Sequence, residues 1–292
     1  AMTVKDIGEV IKRFIFVAKV ARESSFTGIQ IHSAHGYLLS EFLSPDINKR
    51  TDEWGGSLEN RTRIHVEIIK GIRKALGNDF PISLKLNSAD FQKGGFSPAD
   101  ALESARIMES AGIDLLEISG GTYEQPRLLG LDNLSINPER SENRKSSSIA
   151  REAYFLDYAE NIKKSISIPT MVTGGFRTKD AMESSIKSNA CQMIGVGRPL
   201  CADPQSIRKL LAGQIKELST YEKSLSLGPW IFSPSSPFRL IQAINGFGTQ
   251  AWCYQQIKRM ARNEKPDLNM SMFSALKNDI RDDLASFKAL KS

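Results

Sequence analysis

Two of the three histidines in the chain and a tyrosine, His32, His35 and Tyr37, lie within six positions of one another. An apolar run at residues 28–31 precedes them and a Ser-Ala turn separates the histidines, which predicts a strand running into a loop. Strand ends carry the chemistry in parallel α/β sheets. Imidazoles can donate hydrogen bonds to a ligand oxygen, and a phenol can deliver a proton. The triplet predicts such a site, and two structural histidines beside a core tyrosine are the alternative.

Two glycine-rich turns, Gly174-Gly175 and Gly195-Val196-Gly197-Arg198, each follow a predicted strand and precede a helical segment. Glycine lets backbone N–H groups approach an anion closely, and a helix N-terminus adds partial positive charge. Arg198 can hold a phosphate through two parallel hydrogen bonds. In eight-fold barrels the loops after the last two strands commonly form a phosphate site. The two turns together predict a phosphorylated ligand.

Lys85 lies within an otherwise apolar strand pattern, Ile-Ser-Leu-Lys-Leu. Both faces of a parallel strand are usually covered, so a cation there must point into a site or cover a face with its stem. Strand alternation places Ser83, Lys85 and Asn87 on one polar side. We expect Lys85 to stabilise negative charge on an electron-rich ring, with a solvated edge position as the alternative.

The remaining pattern supplies the elements that position these groups. It predicts strands at 28–32, 80–87, 113–119, 168–173 and within 190–199, alternating with helices at 4–24, 57–76, 97–111, 149–164 and 178–188 and one starting at 203. Parallel strands require crossover helices at such spacings. Thr3 with Asp6 is the expected N-terminal cap of the first helix, and Ser97 followed by Pro98 is the expected start of the third. The segment 120–148 has no clear periodicity and is expected to be a binding loop, and residues 213–292 are expected to be helical.

Composition is that of an ordinary soluble globular protein, with 40% hydrophobic and 25% charged residues and a net charge of +6. The basic residues are spread along the whole chain, so neither nucleic acid nor a membrane is an expected partner. Three separated cysteines without a CxxC pair give no zinc or iron–sulfur site and suit a reducing compartment. Since no apolar stretch reaches membrane-spanning length, we expect a cytoplasmic protein.

Three stretches resemble the old yellow enzyme family, the FMN-dependent ene-reductases or NADH:flavin oxidoreductases built on a (β/α)8 barrel. They are residues 28–39 (GIQIHSAHGYLL), 42–45 (FLSP) and 48–61 (NKRTDEWGGSLENR). Gly174-Gly175-Phe176 and the segment 195–200 with Asp203-Pro204 match the family's FMN-phosphate segments in order and spacing. The resemblance spans residues 4–211.

The resemblance implies a role for each candidate residue. His32 and His35 would grip the carbonyl, nitro or phenolate oxygen of a ligand over the flavin, and Tyr37 would protonate the alkene. Lys85 stands where the family usually has arginine beside the flavin N1 and O2 atoms, and it keeps the charge without the fork geometry. Gly174, Gly175, Gly197 and Arg198 would hold the FMN phosphate. The implied reductant is NADH or NADPH.

One departure from the family concerns the position of the histidine segment. In the family it lies on the fourth strand, whereas here it begins at residue 28. Only five strand equivalents, the fourth to the eighth, are expected, and closing an eight-stranded barrel needs the others. A fragment of a longer gene, a chain completed by a partner or by swapping, and a relative that has lost flavin binding are three open explanations.

We therefore predict an α/β fold of the TIM (β/α)8-barrel family with about five βα units. An FMN and substrate domain is expected at 1–212, and a helical extension packed on it at 213–292. The expected reaction is hydride transfer from NAD(P)H through flavin to the activated C=C bond of an α,β-unsaturated carbonyl or nitro compound. A catalytically silent fragment acting through association is the alternative, and a sugar-phosphate-binding barrel is a third. A second copy or a complementing N-terminal segment is the expected partner, besides a small enone-type substrate.

Overall fold

The structure is a computed structural model that describes residues 1–90, 94–119 and 156–289. Its strands are β1 (Ile29–Ser33), β2 (Ile82–Asn87), β3 (Leu115–Ser119), β4 (Thr170–Thr173) and β5 (Met193–Gly195). Its helices are α1 (Val4–Glu23), α2 (Leu38–Leu43), α3 (Leu58–Leu76), α4 (Pro98–Ala111), α5 (Leu156–Lys163), α6 (Lys179–Lys187), α7 (Arg198–Ala202), α8 (Ser206–Leu211), α9 (Arg239–Ala261) and α10 (Met272–Ala289). The five predicted strands are present. The expected binding loop at 120–148 and the start of the helix expected from residue 149 lie outside the described residues.

The five strands form one parallel sheet in the order β1-β2-β3-β4-β5. Each pair of neighbours is parallel, so the chain crosses over between them, and helices occupy those crossovers. Sequence order and spatial order coincide, which is how strands follow one another around a barrel of βα units.

The two faces of the sheet differ in polarity because successive side chains alternate between them. Ile31, Leu84 and Leu116 stand in register and are fully buried. The opposite face carries a second row in register across all five strands, in chain order His32, Lys85, Glu117, Met171 and Met193. We call this second set of five residues the polar row.

Local signals set the helix ends as the sequence predicts. Thr3 caps α1 by accepting from the Asp6 backbone N–H at 3.1 Å, while the Asp6 carboxylate accepts from the Thr3 N–H at 2.8 Å. Ser97 caps α4 in the same way. Gly112 ends α4 in the left-handed conformation, with φ of 110°. The predicted caps at Thr3 and Ser97 are therefore confirmed.

The chain divides into two compact units, one of Ala1–Phe176 with Glu183–Gly195 and one of Arg177–Met182 with Val196–Ser292. The first contains the whole sheet. The second contains a small core around the buried Trp252, whose Nε1 donates to the Met270 carbonyl at 3.1 Å. Helices α7 and α8 belong to this second unit, although the predicted boundary at residue 212 places them in the barrel domain. Packing of the helical extension on the barrel stays a prediction.

Two expectations about the C-terminal part are wrong. Residues 213–238 contain no α-helix and only two short 3₁₀ turns, and Pro229, Pro234 and Pro237 interrupt the second half of the segment. Arg198, expected at the end of a glycine-rich turn, is the first residue of α7, and Pro199 follows it within the first helical turn, where proline is tolerated. None of the helices in the described parts of the chain is long and apolar enough to cross a bilayer.

The buried His65 gives the fold a pH dependence. Its Nε2 lies 2.7 Å from the Ser33 Oγ, and burial lowers its pKa from 6.5 to about 3. Between those values the unfolded chain binds a proton that the folded chain does not. The free energy of unfolding therefore falls as pH decreases below 6.5, by about 1.4 kcal/mol per pH unit for this group.

Urea denaturation between pH 7 and pH 4.5 measures this dependence. In His65→Gln the slope of the unfolding free energy against pH is expected to decrease by the contribution of one proton, about 1.4 kcal/mol per pH unit. Identical pH slopes for the wild type and the variant would contradict the assignment.

Candidate active site

His32, His35 and Tyr37 come together at the carboxyl end of β1. The ring centroids of His32 and His35 are 5.3 Å apart, and those of His32 and Tyr37 are 4.9 Å apart. Tyr37 is 47% exposed at the start of α2, so it is not a core tyrosine. The structure thus excludes that part of the packing alternative and places the three rings in one cluster that solvent can reach.

The turn that carries His35 is held in an unusual conformation. His35 and Gly36 both have positive φ, 64° and 78°. The His35 backbone N–H donates to the Asn87 Oδ1 at 3.1 Å, and the Asn87 Nδ2 donates to the Asp90 Oδ1 at 3.0 Å. The other Asp90 oxygen accepts from the Phe96 N–H at 3.1 Å. A chain of hydrogen bonds from the end of β2 therefore fixes this turn.

Both imidazoles of the cluster are neutral near pH 7. Burial, followed by the charges of Lys85 and His32, lowers the pKa of His35 to about 3. Burial and Lys85 also lower the pKa of His32, while Glu117 opposes that shift. The His35 Nε2 lies 2.7 Å from the Ser119 Oγ, at the end of β3. A neutral imidazole has one donor and one acceptor nitrogen, so Ser119 fixes the ring without charging it.

Lys85 lies on the polar row between β1 and β3. Its Nζ is 2.9 Å from the Glu117 Oε1, and its side chain is 21% exposed. The Gln30 Nε2 donates to the other Glu117 oxygen at 2.7 Å. The expectation that Lys85 shares a polar face is confirmed. Sequence analysis missed Glu117, although Leu-Leu-Glu-Ile shows the same signal, a charged residue inside an apolar strand.

Gly174 and Gly175 follow β4 directly, with φ of 118° and 86°. Side chains are strained at such angles, so glycine is required there for the turn itself. Gly195 has a packing role, because a β-carbon at that position would collide with the Thr173 hydroxyl of β4.

Gly197 and Arg198 belong to the second compact unit. The Arg198 Nη1 lies 3.5 Å from the Glu222 Oε1, and the Arg177 Nη2 lies 2.6 Å from the same oxygen. The two arginines and the carboxylate keep a net positive charge. Convergence of the two glycine turns on one phosphate stays a prediction.

Comparison with known proteins decides the family. A family model described as NADH:flavin oxidoreductase / NADH oxidase matches residues 1–217. The chain belongs to this family. The structure of the old yellow enzyme homologue of Zymomonas mobilis aligns with 78% of this chain and 58% of that one, at 20% identity and a TM-score of 0.57. That likeness confirms the TIM-barrel family fold.

Other known proteins are more similar to this chain in sequence. The NADH-dependent flavin oxidoreductase iccE of Talaromyces variabilis is 38% identical over 204 residues, covering 70% of this chain and 48% of the relative. A cinnamate reductase of Clostridium sporogenes is 31% identical over 224 residues, covering 72% and 31%. The solved 2-naphthoyl-CoA reductase complex is 33% identical with a TM-score of 0.64, covering 74% and 31%. This chain spans at most about half the length of these three relatives.

Proposed function

We propose that this chain carries the substrate-binding and cofactor-binding residues of an FMN-dependent oxidoreductase. The enzyme would take a hydride from NADH or NADPH and reduce the activated C=C bond of an α,β-unsaturated carbonyl or nitro compound. The observation that carries the proposal is the cluster of His32, His35 and Tyr37 next to Lys85 on the polar row. The cinnamate reductase and the 2-naphthoyl-CoA reductase among the relatives support a conjugated carbonyl substrate.

The polar row, together with Gln30 two residues before His32 on the same face of β1, has a donor set that fits a flavin ring. Lys85 supplies a cation and Gln30 an amide, both suited to an electron-rich ring edge. Met171 and Met193 continue the row with thioethers, which form an adaptable apolar flank. The FMN phosphate would take backbone N–H groups of Gly174, Gly175 and Gly197 and the Arg198 guanidinium. Bound FMN would supply the hydride-transfer chemistry.

The side chains of the cluster have separable tasks. Hydride addition to an alkene conjugated with a carbonyl builds negative charge on the carbonyl oxygen. Neutral His32 and His35 would donate hydrogen bonds to that oxygen, and such preorganised donors are worth most where water is excluded. Tyr37 would deliver the proton to the α-carbon, since its hydroxyl is reachable and its ring lies against His32.

Two alternatives predict different behaviour. A catalytically silent chain that acts by association would bind no FMN, while a sugar-phosphate-binding barrel would bind phosphate at Arg198 without flavin affinity. A second copy of the chain or a complementing N-terminal segment would supply further strands to the sheet. Such a partner is compatible both with a flavin-binding protein and with one that acts by association.

Reconstitution with FMN tests the proposal. We expect a yellow protein whose flavin is bleached by NADH or NADPH under anaerobic conditions and reoxidised by 2-cyclohexenone. A colourless protein that fails to take up FMN would refute it, and phosphate binding without flavin uptake would favour the sugar-phosphate alternative.

Arg198→Ala is expected to lower FMN affinity about 10- to 100-fold, because a charge-assisted hydrogen bond contributes about 1.5–3 kcal/mol. Quenching of flavin fluorescence measures the dissociation constant. Arg208→Ala is the matched control, since Arg208 is an exposed guanidinium in α8. An unchanged titration for Arg198→Ala would remove this residue from the phosphate site.

A further inference from the structure

Glu117 is a buried carboxylate that the proposed reaction does not use. It lies in the middle of the polar row, on β3, in register with Lys85 on one side and Met171 on the other. Its side chain is 3% exposed. A charge this deeply buried is destabilising unless it is paired and hydrogen-bonded, so its partners indicate what it does.

Both oxygens of this carboxylate are engaged from the neighbouring strands. The Oε1 lies 2.9 Å from the Lys85 Nζ of β2, and the Oε2 accepts from the Gln30 Nε2 of β1 at 2.7 Å. Three strands thus converge on one carboxylate, which leaves the Lys85 ammonium little freedom to move.

The charge of Glu117 reaches His32 as well. Lys85 lowers the pKa of His32 and His35, and Glu117 opposes this effect at His32. At His32 the Lys85–Glu117 pair therefore acts as a dipole rather than as a full positive charge.

We propose that Glu117 is a positioning residue that fixes the Lys85 ammonium and offsets its charge, and thereby limits how strongly the site stabilises two-electron-reduced FMN. This inference rests on the proposed function, in which Lys85 faces the flavin. A cation near the ring favours the reduced, more negative form, and a carboxylate 2.9 Å from that cation opposes the effect. Removing the carboxylate charge should make the site more favourable to the reduced cofactor.

The test is the midpoint potential of FMN bound to Glu117→Gln. Glutamine keeps the size of the side chain and its hydrogen bond to Lys85 but not the charge. We expect the ratio of reduced to oxidised affinity to rise about tenfold, which is about 30 mV for a two-electron couple. Glu117→Asp keeps the charge and should stay close to the wild-type potential. Glu103→Gln, at an exposed carboxylate on α4, should also leave the potential unchanged.

A double-mutant cycle separates this role from a structural one. In a Lys85→Met background the part of the Glu117→Gln effect that acts through the ammonium is lost, so the shift in potential should shrink, whereas a packing defect would persist in full; thermal unfolding checks that each variant is folded. If Lys85→Met changes the potential and Glu117→Gln does not, the inference about Glu117 is overturned while the proposed function stands. If Lys85→Met has no effect on potential or FMN affinity, or if the wild type takes up no FMN, the proposed function fails and the inference fails with it.

Discussion

Tyr37→Phe is expected to slow reoxidation of the reduced flavin by an enone about 10²- to 10⁴-fold, the usual contribution of a general acid, without slowing flavin reduction. The phenylalanine keeps the ring that packs 4.9 Å from His32 and loses the hydroxyl alone. Reduction by NADH needs no proton from this position, because the hydride moves directly to the cofactor. In this variant the rate of reoxidation should therefore fall while the rate of flavin reduction stays the same.

Anaerobic stopped-flow absorbance follows each half-reaction by itself. Tyr254→Phe is a suitable control, since Tyr254 on α9 is 48% exposed and so resembles Tyr37 in accessibility. Equal losses in the two half-reactions would rule out the assignment of Tyr37 as the proton donor.

The double replacement His32→Ala with His35→Ala is expected to weaken the binding of a phenol about 10- to 100-fold. Two hydrogen bonds to the ligand oxygen are lost, and each contributes about 0.5–1.5 kcal/mol. The rate of enone reduction should fall further, because removing one donor to a developing oxyanion typically costs about 10²- to 10³-fold. Spectral titration of the bound flavin with a substituted phenol measures the binding loss.

The low pKa values of these imidazoles add a second readout. Since the pKa of His35 is about 3, phenol binding should show no titration of His35 between pH 5 and pH 8, and since the pKa of His32 is also lowered, any step from His32 should lie below its ordinary value of 6.5. His65→Gln is the control for the phenol titration, because it removes a buried histidine that contacts Ser33 and leaves both imidazoles of the cluster in place. Unchanged phenol affinity in the double variant, or a binding step near pH 6.5 in the wild type, would contradict the proposed contacts.

The sequence was sufficient for the parts of the fold that depend on local pattern. Alternation of apolar residues located the five strands, and the caps at Thr3 and Ser97 located two helix starts. The grouping of His32, His35 and Tyr37 could be predicted because all three lie in one segment of the chain. Lys85 could be predicted to lie on a polar face because a charged side chain interrupts an apolar strand.

Contacts between distant segments could not be predicted in the same way. The register that pairs Lys85 with Glu117, and the reach of Asn87 to the turn of His35, depend on how separate strands align. Glu222 meets Arg198 from a segment outside the family match, and local pattern does not reveal that pairing. The expectation that residues 213–292 are helical fails at 213–238, where three closely spaced prolines interrupt the second half of the segment.

Under the proposed function, the left-handed conformation of His35 would set stability against ligand binding at a single position. A side chain there costs about 1–2 kcal/mol relative to glycine, and the bond to Asn87 holds the backbone in place despite that cost. Selection for heat resistance alone would favour glycine or asparagine at this position and would discard the imidazole. A stabilised variant of this protein therefore needs position 35 held constant while the rest of the chain is allowed to change.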